Sequence, residues 1–394
     1  MQRRAIIAGA GIGGLTTAIA LSQTDFRVTL YERANKLEEF GAGLQLTPNA
    51  TRILSQLGVL DRVRQLASRP RALQALRGSD NAKLMRLPLD DADRRWGAPY
   101  LVIHRADLQR ALVEAVLGRA DVELSLGTTV VGFASDGDRI SVDLRRGPTV
   151  ARDEADLLIG ADGLRSHVRD RLGLGAPDQA NFTQRVAYRA IVDADVSNPQ
   201  WTRSDIVLRL GPEAHLVQYP LRGGSIINLV AIIGSAWRGG GADHEWDGAA
   251  DRTYLERAFA GWSKETRALI GAPTQWRAWP LYRRPPIASF SIGRVALVGD
   301  AAHPMVPFLA QGAAQAIEDA GALGRIIAQA REVPAALAVY SRDRVARAAR
   351  VQGEALNQGR IYHLSGPLAF GRDVTMRMLG AHRISERYDW LYGA

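Results

Sequence analysis

Apolar and polar positions at the start of the chain follow the order of a strand, a helix and a second strand. Residues 3–8 are mostly apolar and predict a short strand, and residues 15–21 predict a helix after a glycine-rich turn. Residues 27–31 predict another strand, which ends at Glu32. This order is typical of a βαβ unit with parallel strands.

Two later segments repeat the pattern of an apolar strand followed by an acidic residue. Residues 157–160 are uncharged and lead to Asp162, and residues 295–298 are uncharged and lead to Asp300. Runs that are apolar throughout are typical of strands covered on both faces. We therefore predict that both strands belong to a parallel sheet, with each acid at its carboxyl edge.

The middle of the chain changes character. Turn signals such as Gly211-Pro212 separate four β-rich runs, which lie at residues 185–192, 206–210, 215–221 and 226–233. These runs predict an antiparallel sheet inserted into the α/β part, because no glycine-rich phosphate loop accompanies them.

The pattern therefore predicts an α/β fold with two domains. A discontinuous Rossmann-like nucleotide-binding domain covers residues 1–180 and 276–394 and includes small strands at 70–103 and C-terminal helices. An inserted antiparallel-sheet domain, residues 181–275, is predicted to bind the substrate.

Composition excludes several kinds of chemistry. The chain has 394 residues, which suits two domains or one large sheet with an insertion, and it has no cysteine. Disulfides, thiolate catalysis, cysteine-bound zinc and iron–sulfur clusters are therefore excluded. None of the seven histidines has metal-ligand spacing with a carboxylate, so we predict no metal site.

The net charge and the N-terminal segment indicate which partners and which cellular location the sequence favours. The net charge is +9, but the arginines are scattered and no nucleic-acid-binding module is present, so we predict no nucleic acid partner. A basic surface is better suited to attract small anions. Residues 5–21 are uncharged but are interrupted by glycines, which favours a tight turn over a signal peptide or membrane span. We therefore predict a cytoplasmic protein.

The first turn has the spacing of a dinucleotide-binding motif. Gly9, Gly11 and Gly14 form G-x-G-x-x-G directly after the first strand, and Glu32 ends the second strand. The glycines allow the backbone to approach a pyrophosphate at the helix start, and Glu32 is placed to hold ribose hydroxyls. Arg33 beside it could cover the adenosine.

Other segments are candidates for the same ligand. Residues 41–48 form a second glycine-bearing loop that could pass beside a cofactor ring, although such a loop could equally be a connection. Arg105 near a helix start is a candidate phosphate partner. Asp300 could accept hydrogen bonds from sugar hydroxyls, and backbone N–H groups near Gly312 and Ala313 could face developing negative charge.

His215, Val217 and Tyr219 share one face of a predicted strand, because side chains alternate along a strand. A histidine and a tyrosine on either side of a valine could line a substrate cavity and handle a phenolic proton. They could equally pack on the covered face of the sheet.

Three motifs in this order, Gly9–Gly14 with Glu32, Asp162-Gly163 and Gly299-Asp300, resemble those of the flavin-dependent aromatic hydroxylases. The resemblance extends over essentially the whole chain. It implies a glutathione-reductase-like FAD-binding domain with non-covalent FAD, and a flavin pyrimidine edge at Gly312 and Ala313. Asp162-Gly163 would serve both FAD and NADH or NADPH.

The segments 303–320 and 386–393 resemble the branch that acts on single-ring hydroxylated acids, and the pair His215 and Tyr219 resembles the 3-hydroxybenzoate 6-hydroxylases. Salicylate hydroxylases and 6-hydroxynicotinate hydroxylases are the alternatives within this branch. Three substrate-pocket positions depart from these patterns. Pro307 replaces a glutamine, and Gln45 and Phe308 stand where the nicotinate enzymes have histidines.

The resemblance implies that NAD(P)H reduces the flavin and that O2 gives a C4a-hydroperoxide, which hydroxylates a small aromatic acid. His215 would act as the base and Tyr219 would orient the substrate, while Val217 and Phe308 would exclude water. The sequence leaves room for a homodimer. Two other functions stay open: a tailoring hydroxylase or epoxidase for larger apolar substrates, and a flavin-binding sensor without turnover.

Overall fold

The computed structural model describes residues 2–37, 43–175, 180–194, 204–235, 248–249 and 251–393. Gly41, in the second glycine-bearing loop, lies outside these residues. No helix among the described residues is both long enough and apolar enough to cross a membrane.

Strands and helices occur in the following order. The strands are β1 Arg3–Ala8, β2 Phe26–Tyr31, β3 Gly43–Leu46, β4 Ala72–Arg77, β5 Lys83–Pro88, β6 Leu101–His104, β7 Val122–Ser125, β8 Thr129–Asp136, β9 Arg139–Arg146, β10 Thr149–Ala155, β11 Leu157–Gly160, β12 Asn181–Asp193, β13 Asp205–Gly211, β14 Ala214–Leu221, β15 Ile226–Gly234, β16 Gly248–Ala249, β17 Arg277–Arg283, β18 Ser291–Ile292 and β19 Val295–Leu297. The helices are α1 Ile12–Ser22, α2 Pro48–Gln56, α3 Leu60–Leu66, α4 Ala92–Trp96, α5 Arg105–Leu117, α6 His167–Arg171, α7 Arg252–Ala258, α8 Lys264–Gly271, α9 Gly312–Gln329, α10 Val333–Tyr362 and α11 Gly366–Tyr392.

The first sheet is parallel except at one edge. Its strand order is β18-β19-β11-β1-β2-β7, and only β18 pairs in the antiparallel sense. Ile6, Ile7, Leu158 and Ile159 are fully buried, as expected for strands covered on both faces. The turns after β1, β11 and β19 therefore meet at one carboxyl edge.

The second sheet is mainly antiparallel and has eight strands in the order β16-β17-β12-β15-β14-β13-β4-β5. The α/β fold with an inserted antiparallel sheet is confirmed. The predicted boundary at residues 181–275 is too narrow for this sheet, however. Strand β4 pairs in parallel with β13, and β17 pairs with β12, so residues 72–88 and 277–283 belong to the same sheet.

The long C-terminal helices connect the two sheets. Helix α9 packs on α1, and this approach requires a glycine, because a Cβ at Gly324 would lie 3.1 Å from the carbonyl oxygen of Ala20. Helix α11 lies along β5 and is interrupted at Gly380, where φ is 67° and ψ is 164°. It thereby closes the side of the second sheet that faces the candidate site.

Candidate active site

A cleft of about 320 Å³ runs from the carboxyl edge of the first sheet to the face of the second. The turns after β1, β11 and β19 and the start of α9 line one side, and β14 and β15 line the other. Among the predicted site residues, the cleft is lined by Gly11, Gln45, Arg105, His215, Val217, Tyr219, Asp300, Pro307, Gly312 and Ala313. The fold thus brings together residues as distant in the chain as Gly11 and Ala313.

The glycine turn after β1 forms an open cradle. Gly9 has φ of +104°, and a Cβ there would lie 2.6 Å from the carbonyl oxygen of Ala161. A Cβ at Gly14 would lie 1.9 Å from the carbonyl oxygen of Gly9. A Cβ at Gly11, in contrast, would meet no protein atom within 4 Å. Gly11 is the N-cap of α1 and gives no side-chain cap, so the helix start can accommodate an anion.

Glu32 organises this turn from the end of β2. Its carboxylate accepts hydrogen bonds from the backbone N–H of Ala10, at 2.8 Å, and of Ala34, at 2.9 Å. A carboxylate has about four acceptor positions, so it can accept further hydrogen bonds from sugar hydroxyls. The neighbouring Arg33 is exposed to solvent.

The two residues of the acid–glycine pair after β11, Asp162 and Gly163, have different roles. The Asp162 carboxylate accepts hydrogen bonds from Ser166 Oγ, at 2.5 Å, and from the backbone N–H of Val168, at 3.1 Å, so it holds the start of α6. Gly163, with φ of +79°, lines the cleft instead. The contribution of this turn to the cleft is therefore mainly backbone.

Asp300 presents its carboxylate to the cleft. The side chain is open to this space, although it lies deep inside the molecule. Its depth raises the pKa of the carboxyl group above the ordinary value, and His303 and Arg105 oppose that shift. Among the described residues no hydrogen-bond donor reaches this carboxylate, so it can accept hydrogen bonds from a ligand.

A buried polar network holds the start of α9 against the loop after β19. Asp319 accepts hydrogen bonds from the backbone N–H of Gly299, at 2.8 Å, from His303 Nε2, at 2.5 Å, and from Arg344 Nε, at 2.7 Å. Gln311, the N-cap residue of α9, donates to Thr47 Oγ1 at 2.9 Å. Sequence reasoning missed this network, although two adjacent acids, Glu318 and Asp319, in a helix of small residues were a usable signal.

A second cavity, of about 260 Å³, opens onto the cleft. Gln45, His215, Val217, Pro307 and Ala310 line both spaces, so they form the boundary. The wall of the second cavity is mostly apolar and aromatic, and it comes from β4, β5, β13, Phe308 and the helices α10 and α11. This geometry allows a small ligand to contact a larger one lying in the cleft.

Helix α11 contributes the basic groups of this second cavity. Arg383 and Arg387 line it from positions one helical turn apart. Among the described residues neither arginine forms an ion pair with a carboxylate. Sequence reasoning assigned no substrate contact to these arginines, although their spacing of i and i+4 was visible.

His215 lies at the boundary and is buried. Its Nδ1 is 2.7 Å from Nε2 of His363, and the ring of Phe308 stands edge-on at 5.6 Å. Burial and, to a smaller extent, Arg185 lower the pKa of His215 to about 3. The imidazole is therefore neutral at neutral pH. His363 was not among the predicted site residues.

Tyr219 lines the cleft side of the boundary. Burial raises the pKa of its hydroxyl group above the ordinary value, so the group is protonated at neutral pH and can donate a hydrogen bond. The backbone of Gly43 passes so close that a Cβ there would lie 2.5 Å from Tyr219 Cε2.

Among the described residues no group of three or more histidines or acids is arranged to hold a metal ion.

Comparison with known proteins shows the family to which the chain belongs. The family profile described as an FAD binding domain matches residues 2–355. The chain is 36% identical over 395 residues to the 3-hydroxybenzoate 6-hydroxylase of Klebsiella oxytoca, covering 99% of this chain and 96% of that protein. It is also 36% identical over 395 residues to the 3-amino-4-hydroxybenzoate 2-monooxygenase PtmB3 of Streptomyces platensis, again covering 99% and 96%.

A solved structure shows the same fold over the entire chain. Klebsiella pneumoniae HpxO, complexed with FAD and uric acid, is similar with a TM-score of 0.88 and 26% sequence identity. The similarity covers 100% of this chain and 97% of that one.

Proposed function

The chain belongs to the family of FAD-dependent monooxygenases that share this FAD binding domain, and from that premise we propose that it hydroxylates a small phenolic acid of the 3-hydroxybenzoate type. The observation that carries the proposal is the second cavity, which we call the substrate cavity, and we call the cleft beside it the nucleotide cleft. The substrate cavity is small, it opens onto the nucleotide cleft, and a histidine lies at the opening.

The residues of the cleft fit FAD. The open space at Gly11 and the uncapped start of α1 suit a pyrophosphate, with Gly9 and Gly14 shaping the turn. On the nucleotide half, we assign the ribose to Glu32, the adenosine to Arg33 and the pyrophosphate to Arg105. On the flavin half, we assign the ribityl hydroxyls to Asp300 and the flavin pyrimidine to Gly312 and Ala313. We assign the Asp162-Gly163 turn to both FAD and NAD(P)H. When bound, FAD accepts a hydride from NADH or NADPH and passes the electrons to O2 for insertion of one oxygen atom.

The size of the second cavity supports a single-ring substrate. Pockets for drug-sized ligands have volumes of roughly 300–1,000 Å³. At about 260 Å³ this cavity is below that range, which disfavours the larger apolar substrates of a tailoring hydroxylase. Gln45, whose side chain accepts a hydrogen bond from Tyr100 at 2.6 Å, and Pro307 border the space.

Two positive charges in a mostly apolar cavity support an anionic substrate. We assign the substrate carboxylate to Arg383 and Arg387, because a carboxylate would supply the ion-pair partner that the described residues do not. Arginine is well suited to this role, since its planar N–H groups match the geometry of a carboxylate.

We assign the phenolic hydroxyl group of the substrate to the His215 side of the cavity. The imidazole is neutral before substrate binds, and it can accept the proton of the hydroxyl group because the negative charge of the adjacent phenolate then favours the protonated ring. The Tyr219 hydroxyl group, on the cleft side of the boundary, would orient the substrate at the opening by donating a hydrogen bond. Val217 and Phe308 would restrict water at the boundary, where unproductive release of hydrogen peroxide must be suppressed.

The net reaction is that of a monooxygenase. NAD(P)H, a proton, O2 and the aromatic acid give NAD(P)⁺, water and the acid with one additional hydroxyl group. Since NAD(P)H is consumed, we place the protein in the cytoplasm. We also infer a homodimer, and the exposed side chains of Leu368, Phe370 and Met378 on α11 offer a surface for it.

A substrate screen with the holoenzyme tests the proposal. NADH and NADPH oxidation would be followed with 3-hydroxybenzoate, salicylate and 6-hydroxynicotinate, together with hydrogen peroxide release and product identification. We expect 3-hydroxybenzoate to give a dihydroxybenzoate with little peroxide. Catechol with CO2 from salicylate would instead identify a salicylate hydroxylase. Turnover of none of the three acids would contradict the proposed substrate class.

A further inference from the structure

The two buried histidines at the boundary form a direct pair. His215 lies in β14, and His363 follows the last residue of α10. His215 is 2% exposed and His363 is 4% exposed, and the distance from His215 Nδ1 to His363 Nε2 is 2.7 Å. Because 148 positions separate them, this contact exists only in the folded chain.

This hydrogen bond couples the proton positions of both rings. A neutral imidazole carries one hydrogen, so one ring nitrogen donates and the other accepts. Exactly one of the two nitrogens at the 2.7 Å contact must carry the hydrogen while both rings are neutral. Since Nδ1 of His215 is occupied by this bond, Nε2 is the nitrogen that remains for the substrate cavity.

The surroundings keep the pair neutral and fixed. The ring of Tyr362 stands edge-on to His215 at 5.3 Å, and the ring of Phe308 stands edge-on to His363 at 5.7 Å. The charged groups nearby are Arg185, which pairs with Glu213, and Arg372, which pairs with Asp373. Burial, and then His215, Arg185 and Arg372, lower the pKa of His363 to about 2. Burial and Arg185 lower the pKa of His215 to about 3.

Holding the pair in this position has an energetic cost. Nδ1 of His363 is buried and has no hydrogen-bond partner in the described part of the chain. Buried polar groups normally have partners, and the exceptions are frequently functional. The His215 side chain separates His363 from the substrate cavity, so His363 can affect the substrate only through His215.

We propose that His363 is a positioning residue that holds His215 with Nδ1 protonated and Nε2 bare toward the substrate. The proposal rests on the proposed function only in identifying the phenolic group as the proton source. During the reaction the phenolic O–H bond breaks and an N–H bond forms at His215 Nε2. The phenolate oxygen holds the electron pair, and its negative charge favours the protonated pair, which is neutral when no substrate anion is present. The hydrogen on Nδ1 shifts toward His363 Nε2, so the two rings share the positive charge.

Nitrogen-15 NMR of the histidine side chains tests this arrangement without any substrate. The FAD-loaded enzyme would be compared with the variants His363→Phe, which keeps a ring but no acceptor, and His363→Gln, whose amide oxygen can accept from Nδ1. His382→Gln, at an exposed histidine of α11, is the matched control.

We expect His215 to be protonated at Nδ1 in the natural enzyme, in His363→Gln and in the control. In His363→Phe the hydrogen should move to Nε2. A natural enzyme in which Nε2 of His215 already carries the hydrogen would overturn the proposal. So would a His363→Phe variant in which the hydrogen stays on Nδ1.

A second measurement concerns the bound phenol. Ultraviolet difference spectra of 3-hydroxybenzoate on the oxidised holoenzyme report the pH at which its hydroxyl group ionises. We expect this ionisation to need a higher pH by at least one unit in His363→Phe, with His363→Gln closer to the natural enzyme. An unchanged ionisation in His363→Phe would contradict the proton-sharing role. Failure of the natural enzyme to bind this acid would contradict the proposed substrate instead, and the NMR result would still decide the histidine pair.

Discussion

The nucleotide cleft and the cavity proposed to bind the substrate are adjacent, but they are built in different ways. One side of the cleft consists of the glycine- and alanine-rich turns after β1, β11 and β19 and the start of α9, and β14 and β15 line the other side. The cavity is formed by side chains from β4, β5, β13, α10 and α11, which lie far apart in the chain. On the first side, a ligand in the cleft depends on the close approach that glycine allows the backbone, together with a few side chains such as Asp300. A ligand in the cavity is selected by individual side chains.

This difference predicts different responses to mutation. Changes in the cavity should alter catalysis and substrate choice while the cofactor stays bound. Changes in the cleft should alter cofactor affinity first. The boundary residue His215 belongs to both spaces, so it gives the largest expected effect.

Replacing the boundary histidine should separate cofactor reduction from hydroxylation. In His215→Ala we expect the hydroxylation rate to fall by ~10²–10⁴-fold, because one positioned base is lost. NADH oxidation should continue and yield hydrogen peroxide. The measurement is the ratio of hydroxylated product to NADH consumed, with flavin absorbance confirming that FAD is retained and His382→Gln as the control. Hydroxylation at the natural rate would remove His215 from the mechanism.

Changing the acid of the cleft should have a smaller effect, on FAD affinity alone. Hydrogen bonds to a charged group contribute roughly 1.5–3 kcal/mol, so Asp300→Ala should weaken FAD binding by roughly 10–150-fold. The measurement is fluorescence titration of the apoprotein with FAD. Asp138→Ala is the matched control, since the Asp138 side chain is fully exposed.

Gly11→Ala tests the FAD affinity of the cleft at a second position. A Cβ at this position meets no protein atom within 4 Å, so we expect the variant to fold with normal stability and lose FAD affinity. A Cβ at Gly14 would overlap the carbonyl oxygen of Gly9, so Gly14→Ala should also lose stability. Undiminished FAD binding in Gly11→Ala would show that the cradle does not hold the pyrophosphate.

The contrast between the two regions also explains what the sequence could predict. The parallel sheet, the glycine turn and the acids at the strand ends are encoded within short segments, because tight turns and buried strands have local residue requirements. Asp162 illustrates the limit of such a motif. Its position was predictable, but the use of its carboxylate to hold α6 depends on Ser166 and Val168 in three dimensions.

The cavity was less predictable because its contacts are long-range. The sequence around His215 does not predict its contact with His363. The sequence of β13 does not predict that β4 pairs with it and extends the second sheet. Arg383 and Arg387 carry an i, i+4 spacing that is typical of any exposed helix face. Only the path of α11 across β5 brings them to the cavity.

The histidine pair should make the fold sensitive to acid. The pKa of His215 is lowered to about 3 and that of His363 to about 2, whereas an unfolded histidine titrates near ~6.5. The unfolded chain therefore binds more protons below about pH 6.5, and stability should fall as the pH decreases from there. In His363→Phe this loss should be smaller by up to about 1.4 kcal/mol per pH unit.

Urea unfolding of the holoenzyme at pH 7 and pH 5.5 measures this difference. Because other titratable groups also contribute to the pH dependence of stability, the comparison is between the natural enzyme and the variant. His382→Gln, at an exposed histidine, should retain the natural pH dependence. An equal loss of stability in His363→Phe would mean that the pair does not stay neutral in the folded protein.

The smallest effect is expected for the arginines at the far side of the cavity. Arg383→Met keeps most of the side-chain volume but removes the charge. Because exposed ion pairs contribute roughly 0.2–1 kcal/mol, KM for the aromatic acid should rise up to about fivefold, with kcat nearly unchanged. An uncharged phenol of similar size is the decisive control, and its KM should not change. If the acid and the phenol were weakened equally, Arg383 would act through packing alone, and carboxylate recognition would pass to Arg387. An Arg387→Met variant, measured in the same way, would then decide whether this cavity selects its substrate by charge.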